Sequence, residues 1–449
     1  MARDAFIRDA AALINVPPGL PHPQPTAAAW QQPPRPIVSS AQSPALPQHT
    51  DVVVIGSGIS GISVARALLH TTRSKGQPLR VTMLEARTAV SGATGRNGGH
   101  LVSDSEDMFP HLVETAGFER ALEVARFSEA NIRLLRELAE ELPVKYREAA
   151  ELRTLDSATA YEDQEDLDEA VKASRALNQK LPDSTIEYEF YGSRNASEEL
   201  GFVPTVAGAI QQKRVAALWP YRLLTAVLAE MLTDFSSRFT IETHTPVLSI
   251  DHNQGDYCDY PYVVKTSRGS VRAREIVHCT NGHAAALIPG LVSKLYPLRG
   301  TMSTQRLGPS FARVGDKLSW SYMMPATYDP HTGQVALGLY YAQQNPYTGV
   351  MFVGGESQSL QGLLSGDDSV VGEDARRSLT AAPARIWKDA PPNEPLQVWS
   401  GIMGFTGDGL PLVGNLGEGL TGREGSGEWI AAGYNGHVRD RGALFCAKL

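Results

Sequence analysis

The chain has 449 residues and a formal net charge of −8, too long for a single hydrophobic core, so two or more domains are expected. Hydrophobic residues make up 42% and charged residues 20%, a globular mix, and no run approaches the roughly 18 apolar residues of a membrane span, which excludes an integral membrane protein. The acidic balance and the lack of a Lys/Arg block argue against nucleic acid and membrane as partners and for a small molecule.

In chain order, residues 1–16 carry Asp4, Arg8 and Asp9, which break up any secretory signal and are out of place in a mitochondrial presequence. Residues 1–50 read as a proline-rich arm. Ten of the 29 prolines fall between Pro17 and Pro47, which predicts an extended segment with no helix or central strand, lying on the surface of the main body and pinned by Trp30. The PxxP register of Pro18 to Pro21 and Pro33 to Pro36 is a chance match in so proline-rich a stretch.

Residues 51–85 hold the most specific local signal. Asp51 to Ile55 is a short β-branched run suited to a buried parallel strand. Gly56-Ser57-Gly58-Ile59-Ser60-Gly61 follows, then a helical pattern to about Thr72 and a second strand, Arg80 to Glu85. Gly56 permits the tight turn, Gly58 lets the backbone approach a pyrophosphate, and Gly61 allows the helix to pack closely on the strand. The helix N-terminus, with its unpaired N–H groups and positive dipole end, then faces the phosphates. Glu85, 24 residues after Gly61, is placed to accept hydrogen bonds from an adenosine ribose.

Next, Gly92 to Gly99 contains four glycines in eight residues, within Ser91-Gly92-Ala93-Thr94-Gly95-Arg96-Asn97-Gly98-Gly99-His100. A flavin needs more main chain around its ribityl chain and ring than NAD does, and this loop can supply it. Arg96 offers positive charge for the pyrophosphate, Gly98 and Gly99 offer backbone N–H groups to the ring, and His100 invites a covalent link to it.

These residues resemble the flavin-binding start of the D-amino-acid oxidase-like (DAO) family of FAD-dependent oxidoreductases, which includes sarcosine, glycine and glutamylputrescine oxidases. Ala216 to Met231, Arg274 to Leu287, Pro297 to Gly300, Met351 to Glu356, Val398 to Gly414 and Glu428 to His437 continue the resemblance in order. It implies an α/β fold: a Rossmann-like, glutathione-reductase-like FAD-binding domain with an inserted α+β substrate domain. The expected FAD segments are 51–105, 206–296 and 396–449, with 106–205 and 297–395 forming the substrate domain.

In the first insertion, Val124, Phe127, Leu134, Leu135 and Leu138 recur at helical spacing, and Glu162 to Glu169, with six acids and no base, reads as a solvated helix face. Thr240 to Ile250, Tyr262 to Ser267 and Ser270 to Val277 read as a strand meander ending in Thr280-Asn281-Gly282, whose N–H groups can meet a cofactor edge. The resemblance places Val247 at the adenine, and Ala86 and Arg87 beside Glu85. Gln334 to Tyr340 reads as a strand of the sheet covering the flavin.

Late in the chain, Gly401, Gly404, Gly407 and Gly409 interrupt an apolar strand, which predicts a close approach by the flavin ring. Gly404, Phe405, Gly433, Tyr434, Asn435, Gly436 and His437 complete the cofactor set. Relatives continue Gly-His-Gly-Met into a long helix, whereas this chain continues Val438-Arg439-Asp440-Arg441-Gly442 and ends at Leu449. Weakened FAD retention is the expected symptom, unless Arg439 and Arg441 add charge beside the ring.

The family's chemistry implies oxidation of an amine or amino-acid-like substrate by hydride transfer to FAD, with molecular oxygen as acceptor and hydrogen peroxide as product. Arg299, Tyr340 and Tyr341 are the candidate catalytic residues, as substrate positioners. Two alternatives stay open. Phe405 to Gly409 superficially resembles the GD turn of flavin monooxygenases, and the altered C-terminus is compatible with a flavin-poor protein without activity. Cys258, Cys279 and Cys446 lack CxxC spacing, so no metal site or disulfide framework is expected, and the compartment reads as reducing. Cytoplasm is the expected location, or peroxisome through Ala447-Lys448-Leu449.

Overall fold

A computed structural model describes residues 2–436 except 75, 77, 104, 254–258, 310 and 356. The altered C-terminal turn, with His437, Arg439, Arg441 and Ala447 to Leu449, lies outside the described residues, as do Cys258 and Cys446.

The first βαβ unit forms as its sequence requires. The strand His49–Ile55, buried from Thr50 onward, runs parallel to Val81–Leu84 on one side and to Gly269–His278 on the other. Ile55 is level with Leu84 and with His278, so three parallel strands end together where the glycine turn begins. That shared end is the crevice in which open α/β sheets bind ligands. Phe239–Glu242 and Glu428–Ala432 add further parallel strands, Leu412–Asn415 pairs antiparallel at one edge, and the meander Val247–His252, Tyr262–Thr266 folds back on Gly269–His278. Helices Ile59–Ser74 and Pro220–Asp234 cover one face, burying Ile62, Leu69, Leu224 and Val227 against Val52, Val54 and Met83.

A second sheet runs in the order Gln397–Thr406, Leu295–Gln305, Met351–Gly354, Leu339–Gln344, Leu318–Met323, Arg153–Tyr161, Gly208–Ala217, His100–Leu101, with Glu187–Gly192 also paired to Gly208–Ala217. Helices Ser193–Leu200 and Glu373–Ile386 pack on it through Ala196, Leu200, Leu379 and Ala382. The sheet membership departs from the expected segments. Gly208–Ala217 and Gln397–Thr406, expected in the cofactor domain, hydrogen-bond in the second sheet, because each pairs along most of its length with strands of the insertion.

Three local expectations also change. The stretch Gln334 to Tyr340 is two strands in two sheets, Gln334–Ala336 and Leu339–Gln344, separated by Gly338 at φ +80°. The arm is not uniformly extended: Ala29–Gln31 is a 3₁₀ turn and Pro36–Ser39 a helical turn that Pro36 can open because its missing N–H is unneeded there. Nor does the arm lie on the surface throughout, since Ala28, Trp30 and Val38 are buried. The acidic run does open a helix, Gln164–Lys180, in which Asp163 accepts from the Glu165 and Asp166 N–H groups and the acids sit at the positive end of the dipole.

Candidate cofactor site

The crevice at the strand ends contains a pocket lined by Gly56 to Ser60, Glu85 to Arg87, Gly92 to Thr94, Val247, Thr280, Asn281 and Tyr434, among others. Its glycines do different work. A Cβ on Gly56 would lie 2.7 Å from the Cys279 carbonyl oxygen and the residue sits at φ +105°, while a Cβ on Gly61 would lie 1.9 Å from the Gly56 oxygen. Both positions are closed to any side chain by protein backbone. Gly58 is different: its Cβ would meet only the Thr94 hydroxyl, at 3.2 Å, and it faces the pocket.

Glu85 braces this turn. Its Oε2 accepts from the Ser57 N–H at 3.0 Å and the Ser57 hydroxyl at 2.6 Å, and its Oε1 accepts from the Arg87 N–H at 2.9 Å. A carboxylate has about four acceptor sites, so one remains on Oε1 for a ligand hydroxyl. Thr94 reaches back to accept from the Ile59 N–H at 3.1 Å, so the Gly92 to Gly99 loop and the helix N-terminus are tied together. Thr280 Oγ1, buried in the lining, has no hydrogen-bond partner among the described residues, as expected of a hydroxyl that meets a ligand. Val247 lies two residues past Thr245, whose N–H donates to Glu85 O, and Tyr434 lies two residues past Glu428–Ala432, so the pocket reaches from beyond Val81–Leu84 to the end of Glu428–Ala432. These features fit an adenine dinucleotide laid across the strand ends.

Several residues of the expected set are placed elsewhere. Arg96 does not line the pocket: its guanidinium donates to Ser91 O, Ser400 O, Thr26 O and Thr26 Oγ1, and lies 3.8 Å from the Asp368 carboxylate. Burial pulls it down to about 10 against the opposing attraction of Asp368. Arg87 is committed to Asp368 as well, at 2.9 Å, though it does line the pocket. Gly98 and Gly99 pack on the second sheet, where Cβ atoms would collide with the Tyr341 ring and the Gln343 amide, and the Gly99 N–H is taken by Asn97 Oδ1. His100 Nε2 contacts Ala342 O at 3.2 Å, and Gly95 packs on Val90 O.

Of the late glycines, Gly401 and Gly404 are closely approached by protein, whereas a Cβ on Gly407 would meet nothing within 4 Å. A Cβ on Gly401 would meet the Arg96 side chain, and one on Gly404 would meet Asn281 Oδ1 at 2.5 Å, while Gly282 abuts Met403 O. Asn281 Oδ1 accepts from the Gly433 N–H, and Asn435 Oδ1 accepts from the Thr406 N–H while its own N–H donates to Gly404 O. Thus Gly404, Gly433 and Asn435 are tied to one another and to Asn281, which lines the pocket, while they and Gly282 lie outside the lining. Phe405 and Gly436 also lie outside the lining.

The three candidate catalytic residues are not brought together. Tyr340 and Tyr341 are neighbours in one strand and so point to opposite faces of the sheet. The Tyr340 hydroxyl bonds Ser378 at 2.6 Å within the helical side, whereas Tyr341 lies against Gly98 and His100. Arg299 is buried and donates to Asp367 O at 3.1 Å. Conversely, Leu20, Pro21, His283, Asp368 and Ile402 line the pocket without having been picked out from sequence. Burial pushes the His283 imidazole below its ordinary range, and its Nδ1 faces Gly19 O at 3.2 Å.

Comparison with known proteins places the chain by family and by fold. A family described as FAD dependent oxidoreductase matches residues 51–438. The structure is similar to glycine oxidase from Geobacillus kaustophilus, with TM-score 0.64 and 20% identity over 89% of this chain and 93% of that one. It is also similar to L-proline dehydrogenase from P. horikoshii, with TM-score 0.64 and 18% identity over 90% and 94%. L-amino acid deaminase from Proteus vulgaris, with its specific insertion deleted, gives 0.62 and 16% over 92% of each chain. The search of curated proteins returned no match.

Proposed function

Because the chain belongs to the DAO family of FAD dependent oxidoreductases, we propose that it oxidises a C–N bond of an amine or amino-acid-like small molecule, with oxygen as the final acceptor and hydrogen peroxide as the product. FAD is its cofactor, and when bound it supplies a two-electron acceptor that takes the substrate's α-hydrogen as hydride and leaves an imine, which water hydrolyses. The carrying observation is the glycine-braced pocket at the ends of the parallel strands, with Glu85 and Thr280 holding free hydrogen-bonding capacity toward a dinucleotide. All three structural relatives named above act, by their names, on amino acids.

The chain's own part is binding and orientation. Glu85 accepts from the adenosine ribose, Gly58 allows the pyrophosphate close to the backbone, and Val247 borders the adenine. Ile402 and Tyr434 border the far end, where a neutral amine with its α-hydrogen toward the ring needs alignment and exclusion of water more than a strong base.

The test is spectroscopic. Purified protein should carry absorption bands near 370 and 450 nm, roughly, at stoichiometric flavin. Anaerobic addition of a panel of primary and secondary amines and amino acids should bleach them, and admitting oxygen should restore colour with one peroxide per turnover. Bleaching by NAD(P)H alone, with no response to any amine, would sink the reading in favour of a monooxygenase.

A further inference from the structure

The family match begins at residue 51, yet the arm before it reaches the pocket. Leu20 and Pro21 line the pocket together with the Gly56 to Ser60 turn. On either side of them the chain is fastened by buried or half-buried polar contacts. Gly19 O faces His283 Nδ1, and His22 O accepts from Arg87 at 3.3 Å.

Thr26 is the main fastening. Its N–H donates to Asp368 O at 2.8 Å, and its carbonyl accepts from Arg96 Nη2 at 2.6 Å. Its hydroxyl donates to Asp368 O at 3.0 Å and accepts from the Ser400 N–H at 2.9 Å and Arg96 Nη1 at 3.2 Å. Further along, Trp30 is 3% exposed, stacks on Phe352 with centroids 3.8 Å apart, and donates its indole N–H to Asn97 O in the Gly92 to Gly99 loop. A segment that merely rested on the surface would not place one residue in five hydrogen bonds with three separate parts of the chain.

We propose that residues 19–31 are a built part of the cofactor site: a strap across the crevice that encloses FAD and sets how fast it leaves. The strap's inner surface is Leu20 and Pro21, its lock is Thr26, and its anchor is Trp30. Glycine turn, Glu85 and strap then bound the dinucleotide from different sides, so FAD departs only after the lock opens. By linkage, what the strap contributes to holding FAD, FAD contributes equally to holding the strap. The proposal rests on FAD occupying this pocket.

The experiment compares holoenzyme variants by the release of FAD on dilution, followed as the growth of free-flavin fluorescence, with circular dichroism to confirm the fold. Thr26→Val removes the three side-chain hydrogen bonds and is expected to release FAD at least tenfold faster, whereas Thr26→Ser keeps the hydroxyl and restores slow release. Leu20→Ala, at a site 40% exposed and outside the core, is expected to speed release several-fold with no change in melting of the apoprotein. Hydrogen exchange should slow across residues 19–28 when FAD is added to apoprotein. Equal release from wild type, Thr26→Val and Leu20→Ala, or exchange unaltered by FAD, overturns the strap. Tighter FAD binding by Thr26→Val also overturns it, since the arm would then compete with the cofactor. A wild-type protein that takes up no FAD overturns the cofactor site and the strap with it.

Discussion

A methyl group at Gly61 would lie 1.9 Å from the Gly56 carbonyl oxygen, whereas one at Gly58 would touch only a side-chain hydroxyl at the pocket edge. The two substitutions should therefore separate folding from binding. Gly61→Ala is expected to destabilise the apoprotein by about 3 kcal/mol through backbone overlap, while Gly58→Ala stays within about 0.5 kcal/mol but weakens FAD binding. Thermal melting of the apoproteins and FAD titration check both. At this scale the sequence pointed to Gly56, Gly58, Gly61 and Glu85 as parts of one turn, which the structure brings together, but not to the Ser57–Glu85 and Thr94–Ile59 hydrogen bonds that tie that turn. Arg96 was misjudged because its partners, Thr26, Asp368 and Ser400, come from distant segments, and a buried acid 272 positions away cannot be inferred from a local basic residue. Tyr340 and Tyr341 could be separated by strand alternation alone once the strand was located.

Among the elements, the parallel strands were readable because a β-branched run followed by glycine admits few alternatives. Gln397–Thr406 was harder. Its glycines signalled a close approach, but whether cofactor or protein approaches is a tertiary fact, and Asn281 and Arg96 occupy the places expected of the flavin. The strands Gly269–His278 and Glu428–Ala432 carry a testable pH dependence. Glu428 accepts from Arg423 through both oxygens at 2.7 Å and from His278 at 2.9 Å. Burial pushes its carboxyl up, but these bonds outweigh burial and hold it at about 2, below the 4.5 of an exposed glutamate. A depressed folded value means stability that is complete above about pH 4.5 and is lost as pH falls toward 2. Glu428→Gln should cost on the order of 3 kcal/mol at neutral pH and flatten the dependence of the melting temperature within that window.

For the whole molecule, Asp368 is the point where arm, glycine loop and second-sheet insertion meet. Its carboxylate faces both Arg87 and Arg96 at 2% side-chain exposure, so Asp368→Asn leaves two buried cations without their counter-charge. The expected loss is about 3–5 kcal/mol, read by denaturant unfolding of the apoprotein. FAD should act in the opposite direction. At a hundredfold excess over its dissociation constant it adds about 2.7 kcal/mol, and the melting temperature should keep rising with the logarithm of FAD concentration; a melting temperature indifferent to FAD would contradict binding to the native state. The α/β fold with a Rossmann-like cofactor domain followed from the family resemblance, but the sheet to which Gly208–Ala217 belongs did not, since a strand's hydrogen-bond partner is chosen by the rest of the chain.

The docked arm also bears on how the protein is made. Thr26 bonds residues 342 and 374 positions downstream, and Trp30 stacks on Phe352, so none of these partners exists when residues 26–30 are synthesised. Contacts of such sequence separation close large loops and form slowly. During translation the Pro17 to Pro47 segment must stay unpaired while both sheets assemble, and its apolar anchor is exposed throughout that interval. Its proline content suits this delay, because a stretch that forms only single short turns and no long helix or central strand has little with which to mispair before its docking surface is complete.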